Sequence, residues 1–580
     1  MRKQLTYIFL LLSALFLNAC SFDKFPIDKL DPKTFFQSEN DLVIYCNSFY
    51  DMLPTGDEII TTDQKISDYM ATASGINNFI YGNYSSLEQE LEQWWTWDEL
   101  RNVNYFLENN VNENIPPEIR ERYNGLARFF RAWFYYHKVR TFGNVPWYDK
   151  VLSSTDPDLY KPQDSRVLVM KKIVEDLDFA IGKLPVAASK DASTITRWTA
   201  LAFKSRVCLF EGTYRKYASD PALSASATEY LQYAQTAAET LIKESPYTLY
   251  NTGSTPYRDL FTSTATIATE VILADTYSDK LTRYNSANWL FTSSSYGARP
   301  GLTKTFVNTF LNRDGTRFTE KAGYEKITFP AETAERDKRL SQVIRTPGYK
   351  LLGKDEAPDF GHMKTGYHLI KFTQDENANL AMAKNTNCIP IIRYAEVLLN
   401  YAEATAELGR MDDKIWGLTI GKLRDRGGIT AGQRSAAPDP YMQSLYPEIT
   451  SADILEIRRE RGIELVGEGF RFDDLRRWRA GHLLTREWDG MYVAQLEIPL
   501  DMNGDGAPDV CFTPAAPENP AKGVFYYVFS EAFGIESQTA GGKLRIYPNA
   551  AKKFEDKKYL YPVPESARLK NPALNQNPQW

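Results

Sequence analysis

The sequence predicts a mostly α-helical protein of stacked helical hairpins, with an irregular, loop-rich region and a few short strands. Three observations carry that expectation. Several stretches place apolar residues at steps of three and four, the period of an amphipathic helix. These stretches alternate with short turns. From about Ser245 to Asn387 the pattern gives way to clusters of Ser, Thr, Gly and Pro with scattered aromatics, which read as loops and short strands laid over the helices.

Weaker helical patterns over roughly 38–53 and 86–110 come first in the chain. The first clear helix runs from Leu126 to Arg140, where Leu126, Phe130, Trp133 and His137 share one face; Gly143 and Pro146 then stop it. A weaker pattern covers 165–184. After Thr196, the residues Ala200, Phe203, Val207, Phe210 and Tyr214 form one stripe, with Gly212 near its end, and a weaker pattern over 226–244 follows. The third clear helix is expected from about Ile391 to Leu408, with Ala395, Leu399, Ala402 and Ala406 on one face and Arg393, Glu396, Asn400, Glu403 and Glu407 on another. Small apolar residues let a neighbouring helix come close. The last pattern covers 451–467. Such pairing resembles a tetratricopeptide-like architecture, although no strict period of about 34 residues can be read.

At 580 residues, the chain divides by these changes of character into a signal segment at 1–19, a helical region at 20–245, a loop-rich region at 246–388 and a C-terminal region at 389–580. The signal segment opens with Arg2 and Lys3, and its apolar core from Tyr7 to Leu17 is shorter than the roughly 20 residues that span a bilayer. A cleaved export signal fits it. The order Leu17-Asn18-Ala19-Cys20 is that of a bacterial lipobox, which predicts a lipid on Cys20 and a palmitate-type anchor; the alternative is an ordinary signal with a cysteine that happens to stand there. No later apolar run is long enough to cross a membrane.

A formal charge of −6 with both signs interspersed offers no basic field, so nucleic acid is not an expected partner. Besides Cys20, the thiols of Cys46, Cys208, Cys388 and Cys511 are widely spaced, without a CxxC pair. That excludes a disulfide-rich framework and a cysteine zinc site; one or two isolated disulfides are the alternative in an exported protein, and free, buried thiols are expected. With four histidines and no HExxH, a histidine-based metal hydrolase has little to work with. His137, alone on an apolar face, reads as a core residue.

One loop carries metal-like spacing. Asp501, Asn503, Asp505 and Asp509 occupy positions 1, 3, 5 and 9, with Gly506 at position 6, the order that a hard cation such as calcium needs in a tight loop. Phe512 stands where an EF-hand has its bidentate Glu. A structural calcium is one reading; an Asx- and Gly-rich turn without metal is the other.

Aromatic residues make up 13% of the chain. Trp94, Trp95 and Trp97 cannot all face one side of a helix, so at least one is expected at the surface, with Trp94 the candidate for ligand contact. In the loop-rich region Trp289, Tyr296 and Arg299, beside Tyr284 and Asn288, combine stacking surfaces with polar donors, a mixture that suits a polar ligand such as a sugar; the alternative is that they pack the loop onto the body. From Arg458 to Arg479 arginines interleave with Glu464 and Glu468. Paired carboxylates suggest a glycosidase, but four residues apart on one helix they do not flank a substrate, and ion pairs that fix packing are expected instead.

These residues together resemble the SusD/RagB outer-membrane lipoproteins of Bacteroidota. The resemblance rests on the lipobox at Cys20; on Ala127-Arg-Phe-Phe-Arg-Ala-Trp-Phe-Tyr-Tyr with its Phe-Gly-Asn-Val-Pro end; on Arg197-Trp-Thr-Ala-Leu-Ala with Arg206-Val-Cys-Leu; on Ile391-Ile-Arg-Tyr-Ala-Glu-Val-Leu-Leu-Asn-Tyr-Ala-Glu; and on Arg459-Glu-Arg-Gly-Ile-Glu-Leu with Phe472-Asp-Asp-Leu-Arg-Arg-Trp. The closing Tyr561-Pro-Val-Pro and Asn575-Gln-Asn-Pro-Gln-Trp also look like the family's ending. Gly462 departs from the family, where many members carry a larger residue. The resemblance implies a tetratricopeptide-like helical fold on the cell surface, anchored in the outer membrane and seated over a SusC-like TonB-dependent β-barrel transporter. It further implies a binding subunit without catalysis, taking an oligosaccharide or, in some members, a peptide. No individual ligand residue carries over by motif. A lipid-anchored hydrolase and a purely structural surface protein are the competing functions, and the sequence supplies neither a nucleophile elbow nor a metal triad for the former.

Overall fold

Helix ends are set by the side chains that cap them, in a computed structural model that describes residues 35–376 and 380–580. The lipobox with Cys20 lies outside the described residues. Thr196 accepts from the backbone of Thr199, whose side chain answers from the other side of the cap, and the helix Arg197–Lys216 follows. Ser165 caps Arg166–Lys183 more simply, its side chain accepting from the backbone of Leu168. Pro117 sits in the first turn of Pro117–Phe142, where its missing N–H costs nothing, and Gly143, at φ 77°, ends that helix.

These helices pair as the pattern predicts. Pro117–Phe142 lies against Arg166–Lys183, and Arg197–Lys216 against Ala227–Glu244; the latter pair is joined by Tyr394–Glu407, which also meets Ala452–Glu464. Gly212 is what lets one pair close up, since a Cβ there would stand 2.9 Å from the backbone nitrogen of Leu231. Arg197–Lys216 is buried along nearly its whole length, so it is the inner helix of the stack rather than an amphipathic surface helix.

Two expectations are corrected by the structure, and one feature is added. The helix expected from Ile391 begins only at Tyr394, because Ile389–Arg393 is a fully buried strand paired antiparallel with Val271–Asp275. β-branched isoleucines favour a strand, and Pro390 has no N–H for a helix. The helix expected over 86–110 is two, Gln89–Trp94 and Asp98–Asn109, parted at the tryptophans. The C-terminal region also holds an unforeseen antiparallel sheet in the order Phe533–Ser537, Gly541–Ile546, Trp488–Val493. Its strands are too short to leave a readable period.

Glu464 and Glu468 are structural, as expected. Arg393 reaches Glu464 at 2.6 Å and Glu468 at 2.7 Å, Arg339 reaches Glu464 at 2.9 Å, Lys371 meets Glu468 at 2.6 Å, and Arg426 also contacts Glu464. Burial would raise the Glu464 carboxyl, but the three guanidinium groups hold it well below the carboxylate range. Cys46, Cys208, Cys388 and Cys511 are buried and unpaired.

Candidate ligand-binding surface

Trp289 sits on the short helix Ala287–Thr292. Asn288 is buried beneath it and is spent on structure: its amide meets the backbone of Gln374 and the side chain of Asn385. Beyond Ser293 the chain swings outward to Tyr296, turns through Gly297 and Arg299 at positive φ, and enters the strand Pro300–Leu302, which pairs with Met70–Thr72. Tyr296 is 68% exposed and lies stacked on Trp289, with centroids 6.4 Å apart and planes 24° apart. That is the geometry of an open platform for a flat apolar face. Arg299 donates to the carbonyl oxygens of Ser294 at 3.1 Å and Ala73 at 3.3 Å.

Two buried histidines hold this loop from below. His362 Nδ1 meets the Ser293 carbonyl at 2.7 Å, and His368 Nε2 meets that of Phe291 at 2.6 Å, the two rings stacking at 4.8 Å. Since carbonyls accept, these nitrogens carry the protons; His368 Nδ1 then accepts from the Asp359 amide. Burial lowers both imidazoles, His362 to about 4, and keeps them neutral.

Trp94 belongs to a second group. It is 38% exposed, its ring edge-on to Tyr561 at 5.1 Å, and it lines a cavity of about 510 Å³ together with Asn77, Glu90, Gln93, Lys138 and Phe472. Trp95 and Trp97 turn inward, against Phe142 at 4.8 Å and Tyr148 at 5.6 Å. They line a separate hollow of about 540 Å³ with Arg101 and Leu574. The buried Lys138 fixes this elbow by donating to the carbonyl oxygens of Trp94 and Thr96. Burial pulls its ammonium down to about 7, against the pull of Glu99.

The structure thus brings Trp289, Tyr296 and Arg299 together and sets Trp94 apart from them. The segment from Ala73 to Asn77 connects the two groups: Ala73 receives Arg299, and Asn77 lines the Trp94 cavity. Four residue steps span at most about 14 Å. The hydroxyl of Tyr547 also donates to Ala73, at 2.9 Å. Tyr547, His362 and His368 carried no sequence signal, because each reaches the surface loop from a distant segment.

In the loop at 501–509, Asp501 accepts from the amides of Asn503, Gly504 and Gly506, Asp505 from that of Ala507, and Asp509 from that of Met502. Those from Asn503 and Ala507 are Asx-turn bonds, and Asp509 ties the end of the loop back to its start. Among the described residues no three carboxylate, imidazole or thiol groups gather closely enough to hold an ion. Burial raises the Asp509 carboxyl despite the Met502 bond, and Asp505 and Asp501 add to the rise.

Comparison with known proteins matches this architecture. The SusD family pattern covers residues 269–580, and a second pattern, described as starch-binding and associating with the outer membrane, covers 27–209. The SusD-like protein P38 of Formosa agariphila is 24% identical over 506 residues, 82% of this chain and 91% of that protein. A SusD-like protein from Bacteroides fragilis superposes with a TM-score of 0.71 at 22% identity, covering 96% of this chain and all of the other. A second B. fragilis structure, described as a SusD-like carbohydrate-binding protein, gives 0.71 at 20% identity over 93% of this chain and all of its own. With one family pattern matching more than half its length on this helical fold, the chain belongs to the SusD family.

Proposed function

We propose that this protein binds an oligosaccharide at the cell surface without transforming it and hands it to a SusC-like TonB-dependent barrel, held at the outer membrane by a lipid on Cys20. The observation that carries this reading is the solvent-facing stack of Tyr296 on Trp289, braced by Arg299 and His362. A ring this exposed is not paying its way in the core. It offers a sugar a flat face flanked by hydrogen-bond donors, and Trp94 offers another at the far end of the 73–77 segment. The starch-binding description of the second family pattern and the carbohydrate-binding description of the second B. fragilis structure support the same ligand class. The carboxylate pair Glu464 and Glu468, which would have favoured a hydrolase, is consumed by ion pairs.

Calorimetry of the mature chain against a panel of glycans and peptides, with product analysis, tests this reading. Retention of a glycan without turnover is expected, with Tyr296→Ala weakening it about tenfold, the order of one lost stacking contact. Hydrolysis of the ligand, or binding of peptides alone, would sink it. For the loop at 501–509 we propose a structural calcium that would draw Asp501, Asp505 and Asp509 in from their present turn bonds and relieve their mutual repulsion. A chelator is then expected to lower the melting temperature, and Asp505→Ala to remove that difference; superimposable melting curves would leave the loop a plain turn.

A further inference from the structure

Three half-buried cations without an acidic partner meet around one ring, that of Tyr547, and we infer that the glycan bound on this face is acidic, carrying carboxylate or sulfate groups. This inference rests on the glycan reading above. Arg299 and the Tyr547 hydroxyl donate to the same carbonyl, that of Ala73. Lys364 Nζ lies 5.5 Å from the ring of Phe533, which is 5.3 Å from that of Tyr547. Lys552 Nζ lies 4.4 Å over Trp488, whose ring is 6.4 Å from Tyr547. The polar contacts of all three cations are to backbone carbonyls: Lys364 to Phe360 and Lys552 to Arg486, besides those of Arg299.

Acidic groups do stand nearby, but each is engaged elsewhere. Asp359 accepts from the amides of Gly361 and His362, and Glu487 and Asp489 hold Arg545. Among the described residues none lies within ion-pair distance of Arg299, Lys364 or Lys552. Cations taken partly out of water are costly unless paired. Burial pulls Lys364 down, with Arg299 adding to the effect, and pulls Lys552 to about 8. A neutral sugar hydroxyl would leave that cost standing, whereas a carboxylate or sulfate would offset it through the free N–H groups of Arg299 and the two ammonium groups. The partly exposed rings of Tyr547 and Phe533 supply the stacking surface that such a ligand also needs.

The test titrates the mature chain with an oligogalacturonate, a sulfated galactan oligosaccharide and neutral laminari- and malto-oligosaccharides, at about 0.05 M and about 0.5 M salt, which differ severalfold in screening length. At least one acidic ligand is expected to bind tenfold or more tightly than the neutral ones and to weaken at high salt; which of the two does so separates carboxylate from sulfate. Arg299→Gln and Lys552→Gln are each expected to cut the acidic-to-neutral affinity ratio about tenfold, the order of one charge-assisted hydrogen bond. Melting curves confirm that the variants are folded. Neutral glycans binding as tightly as acidic ones, with no salt dependence, would overturn the inference and leave the glycan reading intact. Binding of no glycan in the panel would overturn both.

Discussion

A carboxylate cut off from water has to be held by cations, and Glu464 is held by three. Glu464→Gln leaves Arg339, Arg393 and Arg426 short of one negative charge inside the helix stack. Removing one partner of a buried ion pair costs about 3–5 kcal/mol, and a drop of that size in denaturation is expected. The pH dependence follows from the direction of the shift. A glutamate held below its ordinary value of 4.5 contributes stability that is fully present above that value and is lost as pH falls through the lower, folded one. The native chain should therefore lose stability more steeply than the Gln variant as the pH is taken below about 4.5; parallel losses would mean that other carboxylates carry the acid transition. From the sequence, Glu464 and Glu468 were readable as ion-pair members. Their partners were not, because Arg339 and Lys371 lie in the loop-rich region, more than 90 residues away in the chain. Trp94, Tyr296 and Arg299 were readable as candidates for the same reason that Tyr547 was not: their neighbours in sequence are also aromatic or polar, whereas Tyr547 joins the surface only through the fold.

Helices with a long period were legible, and their contacts explain which glycines matter. Gly212 and Gly182 are both helical, and alanine raises intrinsic helix propensity at either by up to about 1 kcal/mol. Space decides the sign. At Gly182 nothing lies within 4 Å of an added Cβ, whereas at Gly212 the backbone nitrogen and side chain of Leu231 lie within 2.9–3.0 Å. Gly182→Ala is expected to raise the melting temperature slightly, and Gly212→Ala to lower it by forcing apart Arg197–Lys216 and Ala227–Glu244, at a cost of about 1–3 kcal/mol. Two stabilising changes would mean that the helix pair has slack. The strands escaped sequence reading for the opposite reason: Ile389–Arg393 continues directly into a helix, so its apolar residues were absorbed into the helical period, and only the pairing partner at Val271–Asp275 reveals the boundary.

For the molecule as a whole, the proposed membrane anchor and the proposed ligand capture are expected to be separable. Among the described residues no helix is long and apolar enough to cross a membrane, and the proposed attachment, a lipid on Cys20, uses none of the residues of the proposed binding face, Trp289, Tyr296 and Tyr547. Two or more acyl chains, each methylene contributing about 0.8 kcal/mol when buried, hold a protein durably, while one chain does so only marginally. Cys20→Ala removes the thiol that would carry the diacylglycerol. Its expected outcome is release of the protein from the membrane fraction with ligand affinity and melting temperature unchanged, measured by fractionation and by calorimetry of the released chain. Uptake should then fall even at equal protein abundance, because a tether converts the encounter with a partner barrel from a diffusional event into one at high effective concentration. A variant that stays with the membrane would point to direct contact with the barrel as the main anchor, and one that loses ligand affinity would show that the anchor shapes the binding face.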